Sequence, residues 1–161
     1  MKNKELRVLI AKALGWGFYE FTPTPANDIA IRGSRVYAFL QKPGFVNDEE
    51  YWHAVPMAEW PEDWELQAQS HDMPDWPNDL NAAYALLALP GADGYDAVVT
   101  TYSGGNESRC LLKKNPVSLY FRESTLGNFE AVRDTPAQAT CTAFLMWDIA
   151  RKAQNDQHPS Q

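Results

Sequence analysis

Two cysteines, three histidines and a long run of carboxylates are the residues here whose types could support catalysis or hold a metal. Cys110 has Arg109, Lys113 and Lys114 close by in sequence, and neighbouring cations lower a thiol pKa. Cys141 falls inside an apolar helical pattern, where a free cysteine acts as a small hydrophobe. No local signature joins either thiol to His53, His71 or His158, so a Cys–His nucleophile is not indicated. His53, His71, Asp72 and Asp75 offer nitrogen and oxygen ligands. However, no cysteine joins them, and no histidine pair stands at helical or zinc-finger spacing. Tyr102-Ser103-Gly104-Gly105-Asn106 is glycine-rich but lacks the Walker spacing and its Lys-Ser/Thr ending, so it reads as a hairpin turn. The sequence therefore specifies no catalytic residue, no metal and no cofactor.

The charge pattern is more informative. After Lys42 there is no Lys or Arg until Arg109, and thirteen carboxylates lie between them. The same stretch carries four of the six tryptophans: Trp52, Trp60, Trp64 and Trp76. Disordered segments are poor in aromatics, so this one is expected to fold back onto the domain. Tryptophan is enriched at binding hot spots, and a field of acids steers a basic partner. The candidate partner-binding residues are Trp52, Trp60 and Trp64 with Glu59, Glu62, Asp63 and Glu65, and the expected partner is a protein with a basic surface. The competing account is that the rings pin a loop to the core while the charges keep it soluble. An alternative ligand site lies on the basic side, where Arg109, Lys113, Lys114, Arg122 and Arg133 with Tyr120 could hold a small nucleotide by charge and stacking. An acidic centre repels phosphate backbones, so general nucleic-acid binding is not expected.

These residues must be positioned by ordinary globular elements. The 161 residues, 45% apolar and 22% charged with net charge −7, suit one domain over 1–153. An insertion at about 45–77 and a fraying polar tail at 154–161 complete it. Leu6, Leu9, Ile10, Ala13 and Leu14 predict a helix over Lys4–Leu14, closed by Gly15. Trp16–Phe21 reads as a strand. Asp28–Ile31 and Arg35–Gln41 read as a hairpin around Gly33-Ser34. A helical turn is expected near Pro61–Gln69. Asn78 or Asp79 caps a second helix that Pro90-Gly91 stops near Leu89. Tyr95–Tyr102, Val117–Arg122 and Phe129–Arg133 form an antiparallel meander, with Arg109–Lys113 undefined. Thr135 caps a last helix with Pro136 in its first position, carrying a stripe of Ala139, Ala143, Met146 and Ala150. The expectation is α+β: about three helices covering a mostly antiparallel sheet of five to seven strands, a helix–sheet–helix sandwich. No signal peptide and no membrane span are read, and the sparse cysteines point to a cytoplasmic protein with reduced thiols. A homo-oligomer is left open.

Three patches resemble the phage ABA-sandwich family of small tailed-phage and prophage proteins. Ile10-Ala11-Lys12-Ala13-Leu14-Gly15-Trp16 is similar to the family's opening helix, which ends in Met-Gly-Trp or a close variant. Pro74-Asp75-Trp76-Pro77-Asn78-Asp79-Leu80-Asn81-Ala82-Ala83-Tyr84 is similar to Pro-x-Tyr-Ser-x-Asp-Ile-x-Ala-Ala-Trp. Thr135-Pro136-Ala137-Gln138-Ala139-Thr140-Cys141-Thr142-Ala143-Phe144-Leu145 is similar to the final Thr-x-x-x-Ala-Ile-Cys-x-Ala-x-Leu helix. The resemblance implies an antiparallel sheet covered by helices, a phage or prophage origin, and no enzyme activity. It implies a binding role in the host cytoplasm, either host takeover or counter-defence. The acidic Trp-rich segment and the basic Arg109–Lys114 segment depart from the family pattern.

Overall fold

Helix α1, Asn3–Ala13, buries Leu6, Ile10 and Ala11, an apolar stripe at helical spacing. Its end is fixed by backbone chemistry. Gly15 takes a left-handed conformation at φ 92, the Gly15 N–H donates to the Lys12 carbonyl at 3.1 Å, and the Trp16 N–H donates to the Ala11 carbonyl at 2.9 Å. Paired bonds of this kind satisfy two carbonyls that a helix end otherwise leaves open. They also turn the chain sharply from α1 into β1, Gly17–Phe21. The structure, a computed structural model, describes residues 1–21, 38–45, 52–104, 106–115 and 126–157. The expected segments Asp28–Ile31 and Val117–Arg122 lie outside them.

The described residues form an α+β fold with two three-stranded antiparallel sheets on which helices pack. They fall into two compact units, Ala11–Pro74 and Met1–Ile10 with Asp75–Gln161, and α1 runs from one into the other.

In the Ala11–Pro74 unit, β1 is central, between β2, Ala38–Gln41, and β3, Trp52–Ala54. Helix α2, Trp64–Ser70, packs on β2, and its Gln67 Oε1 accepts the Leu40 N–H at 3.3 Å. Phe18, Leu40, Val55, Trp64, Ala68 and Met73 are buried. The end of α2 repeats the geometry of α1 with an unusual residue. Asp72 stands at φ 55, its N–H donates to the Gln69 carbonyl at 3.2 Å, and the Met73 N–H donates to the Ala68 carbonyl at 2.9 Å. Asp tolerates the left-handed region better than most residues, but less well than glycine.

The other unit is built on β4, Tyr95–Thr101, β5, Ser108–Lys114, and β6, Phe129–Arg133, in that order. The segment read as undefined is thus the central strand, and Cys110 and Leu112 are fully buried in it. Phe129–Arg133 pairs with β5 across Ser108–Leu112. One face of the sheet lies under α5, Pro136–Gln157, which meets all three strands. Ala139, Cys141, Ala143 and Phe144 are fully buried on it, and the alanines allow close approach. The opposite face carries Val98 and Val132, which are exposed, and half-buried Leu111.

Several boundaries differ from the sequence reading. Thr135 does cap α5, accepting the Gln138 N–H at 3.2 Å, but the helix continues to Gln157, so 154–157 are helical rather than frayed. Met146 is exposed and Ala150 half-buried, because the buried surface of α5 extends round through Cys141, Phe144 and Trp147. Asp79 caps the second helix through the Asn81 and Ala82 N–H groups. That helix is divided into α3, Leu80–Ala85, and α4, Ala88–Ala92. Pro90 does not stop it; it sits in the first turn of α4, where a proline's missing N–H has no bond to lose.

Ala143→Leu should overpack the helix–sheet contact and cost roughly 1–3 kcal/mol in a urea melt; no change would mean that this face is not packed as described. Asp72→Gly should relieve the left-handed strain and stabilise by about 0.5–1 kcal/mol. A lowered melting temperature would show that the aspartate contributes more than it costs.

Candidate functional site

The Ala11–Pro74 unit holds an open cleft of ≈ 380 Å³ lined by Lys12, Trp16, Tyr19, Val55, Met57 and Trp60, among others. Each wall has a local cause. The left-handed Gly15 delivers Trp16 to one side. Gly17 leaves room for a ring, since a Cβ there would stand 3.3 Å from Tyr19 Cε2. Val55 donates its N–H to the Phe18 carbonyl at 2.9 Å, holding the chain after β3 against β1. The chain then enters a short 3₁₀ helix, Met57–Glu59, after which the Trp60 N–H donates to the Met57 carbonyl at 3.3 Å.

Aromatic contacts place the tryptophans. Trp60 lies against buried Phe18 with ring centroids 4.9 Å apart, and against Trp64 at 6.0 Å. Phe45 lies between Tyr19 at 5.2 Å and Trp52 at 5.6 Å. Trp52 and Trp60 are half-buried, whereas Trp64 is only 4% exposed. The expectation that Trp64 offers an exposed ring to a partner is corrected. It opens α2 and fills the core of the unit. Trp76 is buried too. Glu59, Glu62, Asp63 and Glu65 are all exposed, on the same short stretch as Trp60. The sequence singled out neither Trp16 nor Tyr19 as a site residue. Their signal was Gly15-Trp16-Gly17, an aromatic between two glycines.

The described basic candidates divide between the two faces of the sheet. Strand alternation puts Arg109 and Lys113 on one face of the sheet and Lys114 with the neighbouring strand's Arg133 on the other. Arg109 is held in a two-pronged ion pair by Glu130, Nε to Oε1 at 2.7 Å and Nη2 to Oε2 at 2.8 Å. Glu130, and secondarily Tyr102, raise its pKa. Lys114 Nζ lies 5.1 Å from the Tyr95 ring centroid. Tyr120 and Arg122 lie outside the described residues. Among the described residues no three His, Cys, Asp or Glu gather as metal ligands. Asp75 lies 4.0 Å from Arg7 and accepts from Asn78. His53 is exposed on β3, and His71 ends α2. No described helix is long and apolar enough to cross a membrane. The chain matches no family model, no curated protein and no solved structure.

Both cysteines are free and buried. Burial pushes the Cys141 thiol up to about 12, with Asp75 and Cys110 adding to the effect. Burial also raises Cys110, against a lowering contact with Thr140. Neither thiol is poised as a nucleophile. Alkylation of the native protein at pH 8 should be far slower than after unfolding, and both cysteines should then label without reductant. The Cys141 pKa is raised on folding, so its contribution to stability is intact below its ordinary 9.0 and is lost as pH climbs toward 12. Cys141→Ala should flatten the alkaline fall in stability relative to the parent; an unchanged slope would place the thiol in water.

Proposed function

We propose that this protein acts by binding another protein, and that the working surface is the acidic, aromatic side of the Ala11–Pro74 unit. The observation that carries this reading is Trp60. Its ring packs against Phe18 and Trp64, yet it stays half-exposed at a cleft, among exposed Glu59, Glu62 and Asp63. A ring held rigid before binding loses little freedom on docking, which is what a hot-spot residue needs. The surrounding acids select a basic partner and speed the encounter. The resemblance to phage ABA-sandwich proteins supports placing that partner in a host cell, with the protein as a prophage-type accessory factor in host takeover or counter-defence.

Glu59, Glu62 and Asp63 are exposed, so reversing them to lysine tests the surface without disturbing the core. Association with the captured partner should slow by about tenfold or more and lose most of its salt dependence, while thermal melts stay within about 0.5 kcal/mol of the parent. Unchanged association would remove this face from the binding surface. Trp60→Ala should weaken binding by about 2 kcal/mol. Because the ring also packs on Phe18, this variant should melt earlier as well.

A further inference from the structure

Building on that reading, we propose that the cleft takes an extended, proline-rich segment of the partner in the polyproline II conformation, with an arginine or lysine beside it that meets Glu59, Glu62 and Asp63. Three features of the cleft point to this occupant. Its principal rings are Trp16, Tyr19 and Trp60, and Pro56 and Met57 complete an apolar surface. Flat rings set along an open cleft form slots for the faces of proline rings, a recognised mode of peptide capture. Next, each of these rings carries a donor: two indole N–H groups and one phenol O–H. None of the three has a hydrogen-bond partner among the described residues. A polyproline II strand makes no internal hydrogen bonds, so its carbonyls are free to accept from such donors. A helix could not use them, because its carbonyls are already bonded to its own N–H groups. The third feature is charge. Glu59, Glu62 and Asp63 are exposed on the segment carrying Trp60, so the flanking residue they favour is a cation. Lys12, in the cleft wall, disfavours a second cation beside itself and so gives the segment a preferred direction.

The test uses the full chain and an array of synthetic proline-rich peptides with arginine or lysine at the N-terminal flank, the C-terminal flank or neither. Binding is read by tryptophan fluorescence and calorimetry. One flank should bind at about micromolar affinity, and removing the basic residue should cost about tenfold. Replacing the prolines by glycine should abolish binding at the same concentrations. Tyr19→Phe keeps the ring and removes only the donor, so it should fold as the parent does and still weaken binding several-fold, and Trp16→Phe, which removes the donor together with part of the ring, should weaken it at least as much. Equal binding of the glycine peptides, full affinity in both phenylalanine variants, or no binding by any peptide in the array would overturn the proposal. A nucleotide that binds the cleft and is displaced by none of the peptides would overturn it too. If the captured partner depends on Glu59, Glu62 and Asp63 while no proline-rich peptide binds, this inference falls and the broader binding surface stands. If the partner ignores those acids and Trp60, the broader reading falls with it.

Discussion

The cluster of Phe18, Trp60 and Trp64 rings is the contact on which the acidic Ala11–Pro74 unit depends. Eight of the thirteen carboxylates between Lys42 and Arg109 lie in the Ala11–Pro74 segment, and Glu59, Glu62, Asp63, Glu65 and Asp72 crowd into fourteen residues of it. Their mutual repulsion favours an expanded chain. What opposes it is aromatic burial. Phe18 is fixed in the central strand of its sheet and almost wholly buried, Trp60 lies against it, and Trp64 follows at the start of α2. Large rings bury about 150–250 Å² each, enough to outweigh weak repulsion between exposed, screened charges. The segment is therefore both scaffold and surface. The tryptophans divide residue by residue: Trp64 is buried in the core, whereas Trp60 packs on Phe18 and stays half-exposed.

The helix framework was legible because its signals are local. Thr135-Pro136, Asp79 and Gly15 each act through bonds within a few residues, and each stands where its type and spacing placed it. The strand Tyr95–Thr101 was legible for its β-prone composition. Its neighbour β5 was not. In Ser108–Lys114 the polar Ser108 and three cations mask the alternation, and only pairing on both sides with β4 and β6 explains why Cys110 and Leu112 are fully buried. The end of α2 was hidden for a related reason. An aspartate is not an expected left-handed stop, and Asp72 serves as one only because Ala68 and Met73 are buried across the turn.

The cleft was half legible. Trp60 stood out through the company it keeps, among acids and prolines. Trp16 and Tyr19 come from a region more than thirty residues away in sequence. They reach Trp60 only because β1 pairs with β3 and the chain then folds over Phe18. The described basic candidates divide for the converse reason: residues adjacent in sequence need not be adjacent in space. In a strand, neighbours point to opposite faces, so Lys113 and Lys114 are separated by the sheet itself.

The face of β4–β5–β6 turned away from α5 bears on the colloidal behaviour of the protein. Val98 pairs across the ladder with Leu111, and Val132 stands opposite Arg109. Asp96 pairs with Lys113, and Glu130 binds Arg109. Apolar and oppositely charged residues thus share one open surface that offers little electrical resistance to a like surface. Near neutrality the net charge of −7 carried by the chain as a whole opposes their approach. That protection fades as the solution nears the isoelectric point of about 4.9. Mild acid therefore weakens the repulsion between copies that present this face, and a concentrated sample is best buffered well away from that pH.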